Sequence, residues 1–151
     1  MKVAFDTSIL VAGSIAGHIH EQRCRIWFRA AREGDIDAIT TTHALAETWA
    51  TITAVPIEPR IAPAAAARLV ERLARHVKPV AMRWEDYRSA LTRCGELGLR
   101  SAAIYDTLHL VTASRRGAEV FLTFNTRHFI PLAVDGPRIV APPDPPALLA
   151  N

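Results

Sequence analysis

Three of the fifteen acidic residues in this 151-residue chain stand apart from the rest. Asp6 ends the apolar run Val3-Ala4-Phe5. Glu47 lies in the stretch ALAET, and Asp106 in AAIYDTLHLVTA. The other acids have ordinary surroundings. Glu33, Asp35 and Asp37 flank a turn, and Glu71, Glu85, Asp86 and Glu96 fall on polar helix faces.

A carboxylate among apolar neighbours costs several kcal/mol unless it is paired or holds a metal. Asp106 has no Arg or Lys within a helical turn, since Arg100 and Arg115 are six and nine residues away. The segment around it is almost wholly apolar, which implies deep burial. If Asp6, Glu47 and Asp106 converge to about 5 Å, each pair repels by about 3 kcal/mol at an effective dielectric near 20. Such a site protonates or holds a cation. Hard oxygen ligands select Mg²⁺ or Mn²⁺ over Zn²⁺. A metal held by carboxylates suits phosphate-ester hydrolysis, where it activates water and offsets charge in the transition state. The competing readings are plain. Asp6 could be only a helix cap, Glu47 a solvated helix position, and Asp106 the partner of a distant Arg.

These acids need elements to carry them. Residues 2–6, 38–41, 80–82, 120–123 and 138–140 read as short strands. Residues 19–33, a segment from Thr42, residues 63–76, 84–97 and 101–115 read as helices. Ser8 and Thr42 are candidate N-caps, Pro63 suits a first helical turn, and Gly34 suits a helix stop. Gly13 and Gly17 loosen the chain after Ser8, and 125–129 reads as a polar turn. Alternating strands and helices predict an α/β fold, a three-layer αβα arrangement around a short parallel β-sheet. In open sheets of this kind the ligand crevice lies at the carboxyl ends of the strands, where Asp6 would sit.

Bulk properties fit one domain, 1–140, followed by a proline-rich tail, 141–151. Half the residues are apolar and 22% are charged, the composition of an ordinary globular protein. No apolar run is long enough to span a membrane, and the N-terminus does not read as a signal peptide, so we expect a cytoplasmic protein. Cys24 and Cys94 are too few and too far apart for a metal or disulfide framework, and we read both as buried thiols. The net charge is +3. Two Arg stripes, 25/29/32 and 68/72/75, have helical spacing and read first as solvated faces, though either could contact RNA phosphates or an acidic partner. Trp27, Phe28 and Trp49 read as core or interface residues. His43 with Glu47, and Asp106 with His109, share helix faces and imitate a zinc site, but zinc wants more Cys or His. We read His109 as helix packing. Thr123 is placed to hydrogen-bond Asp6 or a water.

Four stretches carry a resemblance. VAFDTSILV, TTHALAETWA, IYDTLHLVTA and FLTFNTRHF occur in the order found in PIN-domain ribonucleases, and the chain resembles in particular the VapC-type toxins of bacterial toxin–antitoxin pairs. Together the stretches span nearly the whole chain. The resemblance implies a short parallel sheet with flanking helices, Mg²⁺ or Mn²⁺ dependence and hydrolysis of RNA phosphodiesters. It implies a small antitoxin protein as partner, and a homodimer. It carries Asp6, Glu47 and Asp106 over as metal-binding acids, and Ser8 as a polar support for the first of them. One position departs from the pattern. Many members have T-x-D after the fourth strand, where this chain has Thr123-Phe124-Asn125. An amide oxygen carries no charge, so the site would hold −3 rather than −4 and bind a second metal more weakly. Asn125 is then expected to orient water or substrate.

Two rivals remain at this stage. A receiver-like regulatory module would also place an Asp at a strand end, but no Lys follows the fourth strand to meet a phosphate. A PIN-fold scaffold that is catalytically weak would explain Asn125.

Overall fold

The computed structural model describes residues 1–133 and 135–143. The elements run β1 (Lys2–Phe5), α1 (Thr7–Ser14), α2 (Glu21–Glu33), β2 (Asp37–Thr41), α3 (Thr42–Ala54), α4 (Pro63–Ala74), β3 (Lys78–Val80), α5 (Trp84–Glu96), α6 (Ala103–Arg115), β4 (Val120–Leu122), α7 (Thr126–Phe129), a 3₁₀ turn (Ile130–Leu132) and β5 (Arg138–Val140). The five strands form one parallel sheet in the order β3-β2-β1-β4-β5. Helices cover both faces, giving the expected three-layer α/β architecture.

Strand alternation decides which residues reach which layer. In the central strand β1, Val3 and Phe5 pack with Ile9, Leu10, Cys24 and Trp27 of α1 and α2. Ala4, between them, faces the opposite layer with Leu110 and Ala113 of α6 and with Phe129. Each large apolar side chain withdrawn from water in this way contributes about 1.5–3 kcal/mol. A smaller cluster of Ile15, Ile52 and Ala66 joins α3 and α4 to the end of α1.

The chain leaves β1 toward β2 and β3 on one side and later returns to β4 and β5 on the other. The sheet therefore reverses its order between β1 and β4. Such a switch point opens a crevice at the carboxyl ends of the strands. Asp6 and Thr123 immediately follow the two strands that flank it.

Local differences from the sequence reading have physical causes. The N-caps are Asp6 and Thr41, each one or two residues before Ser8 and Thr42, because those residues hold the extended backbone that lets a side chain reach the first free N–H groups. Pro63 does start α4, and Gly34 ends α2 with φ +83°. Strand β3 begins at Lys78 rather than 80 and includes Pro79, which an edge strand tolerates because one side of its ladder is unused. Gly13 lies inside α1 instead of loosening the chain. A Cβ there would run into the Phe28 ring, so glycine is what lets α1 and α2 approach. Residues 126–129 form a single helical turn that buries Phe129. Cys24 is buried but Cys94 only partly. Burial pushes the Cys24 thiol up to about 12, which makes it inert. Most of the expected tail, from 144 onward, lies outside the described residues.

Asp86 is the clearest correction. It reads as a solvated helix residue, yet its side chain is 1% exposed and ion-paired to Arg115. Arg115 Nη2 also donates to Asp86 Oδ2 at 2.9 Å and to the Ala81 carbonyl at 3.1 Å. The pair clamps α5 to α6, the helix that carries Asp106.

Candidate active site

Asp6 sits at the end of β1 and is 5% exposed. Its backbone N–H still donates to Leu122 O at 3.0 Å, so the residue extends the sheet while capping α1. Oδ2 accepts from Ser8 Oγ at 2.7 Å, from Thr123 Oγ1 at 2.8 Å and more distantly from Ser8 N at 3.4 Å. Both hydroxyls in turn accept a backbone N–H from the turn after β4. Phe124 N donates to Ser8 Oγ at 3.1 Å, and Asn125 N donates to Thr123 Oγ1 at 2.9 Å. Each hydroxyl passes its single hydrogen to the carboxylate and takes one from the backbone. This net ties the ends of β1 and β4 together and fixes the Asp6 carboxylate by one oxygen. The helix-cap reading of Asp6 and the site reading therefore coexist.

Glu47 comes from α3. Its Oε2 accepts a short hydrogen bond from Thr7 Oγ1 and lies 3.1 Å from His109 Nε2. Its Oε1 is 3.5 Å from His43 Nε2, one helical turn earlier. Burial alone would raise the Glu47 carboxyl. The hydrogen bonds from His109 and Thr7, with His43 close by, hold it below its ordinary value.

Asp106 comes from the first turn of α6. Its side chain is 37% exposed, so the deep burial expected from its apolar neighbours is not found. The helix turns Thr107, Leu108 and Leu110 inward and leaves Asp106 toward the cleft, with Tyr105 exposed. Its Oδ2 is 4.0 Å from His128 Nδ1. Burial, then repulsion from Asp6, pushes the Asp106 carboxyl up; His109 and His128 oppose this, and Glu47 adds a smaller push upward. Asp106 thus feels both other acids, although the three come from three different elements.

Asn125 is exposed and occupies the N-cap position of α7, without a capping bond from its side chain. It lines the same cleft as Asp6, Ser8, Glu47 and Asp106, a crevice of about 410 Å³. A larger groove of about 610 Å³ lies elsewhere, between α2 and α4, where Arg25, Arg29, Arg32 and Arg72 surround Phe28, Leu69 and Leu73. It holds no carboxylate, so the smaller cleft is where acid chemistry is possible.

His109 was not legible as part of the site. Its side chain is 4% exposed, and it contacts Glu47 directly. His18 and His20 also line the cleft, and His20 stacks on Phe124 with 4.3 Å between ring centroids. The i, i+3 spacing of Asp106 and His109 was the one available signal for His109, and it does not say what the ring meets.

Among the described residues, no group of three or more His, Cys, Asp or Glu side chains forms a ready ligand set. The donor chemistry nonetheless suits a hard divalent cation. The cleft offers three carboxylates and one amide oxygen, and Asp6 Oδ1 has no hydrogen-bond partner among the described residues. His43 and His109 both address Glu47, which favours oxygen over imidazole ligation.

A sequence model of the family described as PIN domain matches residues 3–133. No curated protein sequence matches the chain. Solved structures do. VapBC2 from Rickettsia felis, bound to a promoter DNA fragment, superposes with a TM-score of 0.67 at 14% identity, over 93% of this chain and 98% of that one. VapBC-1 from nontypeable Haemophilus influenzae gives 0.63 at 16% identity, over 93% and 98%. VapC20 from Mycobacterium tuberculosis, a sarcin–ricin loop cleaving toxin, gives 0.60 at 19% identity, over 79% and 86%. At such identities these likenesses speak for the fold.

Proposed function

Since the chain belongs to the PIN-domain family, we propose that it is a metal-dependent endoribonuclease that hydrolyses RNA phosphodiester bonds, and the toxin of a toxin–antitoxin pair. The observation that carries this reading is the gathering of Asp6, Glu47 and Asp106 on one cleft at the switch point of the sheet, where Asp6 and Glu47 both push the Asp106 carboxyl up. Evolution tolerates such repulsion where a cation relieves it.

In this reading Asp6, Glu47 and Asp106 hold Mg²⁺, with Mn²⁺ as a substitute. When bound, the ion supplies Lewis acidity toward a water nucleophile and offsets charge on the phosphoryl group. Ser8 and Thr123 hold the Asp6 carboxylate fixed in direction. Thr7 does the same for Glu47. Asn125, with a neutral amide, orients water or the RNA backbone without adding to the negative charge. The partner is a small antitoxin protein. Two of the similar structures are VapBC assemblies, which supports that choice. We also propose a cytoplasmic homodimer. The described helices include none long and apolar enough to cross a membrane.

The test is RNA cleavage with and without Mg²⁺ by wild type, Asp6→Asn and Asp106→Asn. Both variants are expected to lose cleavage while unfolding cooperatively. Retained Mg²⁺-dependent cleavage in both would refute the mechanism.

A further inference from the structure

Asp106 and His109 are three residues apart on α6, share a helix face and both line the cleft. Asp106 is partly open to solvent there, whereas His109 is nearly closed off, with only a few per cent of its side chain exposed. A buried imidazole needs partners for both ring nitrogens. Nδ1 lies 2.8 Å from Thr41 Oγ1, and Nε2 lies 3.1 Å from Glu47 Oε2.

Thr41 constrains the first contact. It caps α3, and its Oγ1 accepts the Ala44 N–H at 2.9 Å. The hydroxyl has one hydrogen left to give, and Nδ1 is the acceptor beside it. If Nδ1 accepts, the hydrogen of a neutral ring lies on Nε2 and points at Glu47. An ionised carboxylate only accepts, so that contact is satisfied. The opposite tautomer would set two lone pairs against each other at Nε2 and Oε2.

We propose that His109 is a positioning residue for Glu47, and that Thr41 fixes the ring tautomer in which it acts. Thr41 precedes α3 and Glu47 lies within it, so one ring from α6 grips the helix at two points. Its grip sets how Glu47 faces the cleft. His109 is not a ligand, because Nε2 is used by Glu47. Oε2 carries the donors from Thr7 and His109, which leaves Oε1 as the less occupied oxygen. The proposal rests on the nuclease reading for its consequence, but its hydrogen-bond arrangement can be read without it.

The test has two arms. In metal-free wild type, long-range ¹H–¹⁵N NMR of the histidine rings is expected to show His109 with Nδ1 unprotonated and Nε2 protonated. The reverse assignment would overturn the proposal. In the second arm, Mn²⁺ binding is measured by calorimetry on wild type, His109→Leu and His109→Gln. The Leu variant is expected to bind about 10–100-fold more weakly, and Gln, whose amide can donate to Oε2, to recover part of the loss. Affinity within about twofold of wild type in a folded Leu variant would refute the role. If Leu does not fold, the Gln variant and the tautomer decide. If wild type neither binds Mn²⁺ nor cleaves RNA, the nuclease reading fails, and the tautomer alone decides whether the grip on Glu47 exists.

Discussion

Thr123 Oγ1 donates a 2.8 Å hydrogen bond to Oδ2 of Asp6 across 117 residues of sequence. The same oxygen accepts the Asn125 N–H, so Thr123 serves the carboxylate and the turn after β4 at once. Thr123→Val keeps the shape and removes both bonds at a fully buried position. It is expected to cost about 1–3 kcal/mol in urea unfolding, because Asn125 N and Asp6 each lose a partner. RNA cleavage should fall as well, and Thr123→Ser should restore both. Unchanged stability in the Val variant would mean that the bond carries nothing.

Asp86 and Arg115 give a pH dependence away from the cleft. Burial alone would raise the Asp86 carboxyl, but the Arg115 hydrogen bonds, the Arg83 backbone N–H and the Arg115 charge hold it below its ordinary value. A lowered native value means that its stabilisation is complete above the unfolded value near 3.9 and is lost as pH falls through the native one. Arg115→Met leaves the charge of Asp86 buried and unpaired. Since Arg115 is 25% exposed, the cost should sit near the lower end for such pairs, about 3 kcal/mol at neutral pH. Urea midpoints measured from neutral to acid pH should converge for wild type and variant as Asp86 protonates.

Asp106 has the opposite sign. Its carboxyl is pushed up by burial and by the neighbouring Asp6. A raised native value contributes stability below the ordinary carboxylate value, and that contribution is lost as pH rises through the native one. At neutral pH the ionised group therefore opposes folding. Asp106→Asn should raise the Tm of the metal-free protein near neutrality. Mn²⁺ is expected to raise the Tm of wild type by binding the native state, and Asp106→Asn to abolish that shift. A variant less stable than wild type in the absence of metal would contradict the repulsion.

Gly13 tests the packing of α1 on α2. Alanine has the better helix propensity by about 1 kcal/mol. Its Cβ would nonetheless meet the Phe28 ring, which itself packs edge-on against Phe5 at 5.5 Å between centroids. Overpacking typically costs about 1–3 kcal/mol, so Gly13→Ala should be net destabilising in thermal unfolding. Pairing it with Phe28→Leu should recover part of the loss. A stabilised single variant would show that the ring moves aside freely.

The three acids stand out in the sequence by their apolar neighbours, and the fold brings them to one cleft, though not to the burial those neighbours implied for Asp106. The α/β class could be read because strand and helix periods differ. Gly34 and Pro63 were legible because their constraints are backbone constraints, local to the residue. What a side chain meets across the fold was not local. Asp86 and Asp106 both lie near helix starts, yet packing of α5 on α6 buries the first and leaves the second at the cleft mouth. His109 shares a helix with Asp106, and only the placement of α3 against α6 makes it a partner of Glu47. The alternation of elements, the apolar faces and the unusual acids follow from residue type and spacing along the chain. Which acids have partners and which stay open is set by packing, because burial and hydrogen bonding depend on the neighbouring element and on its register.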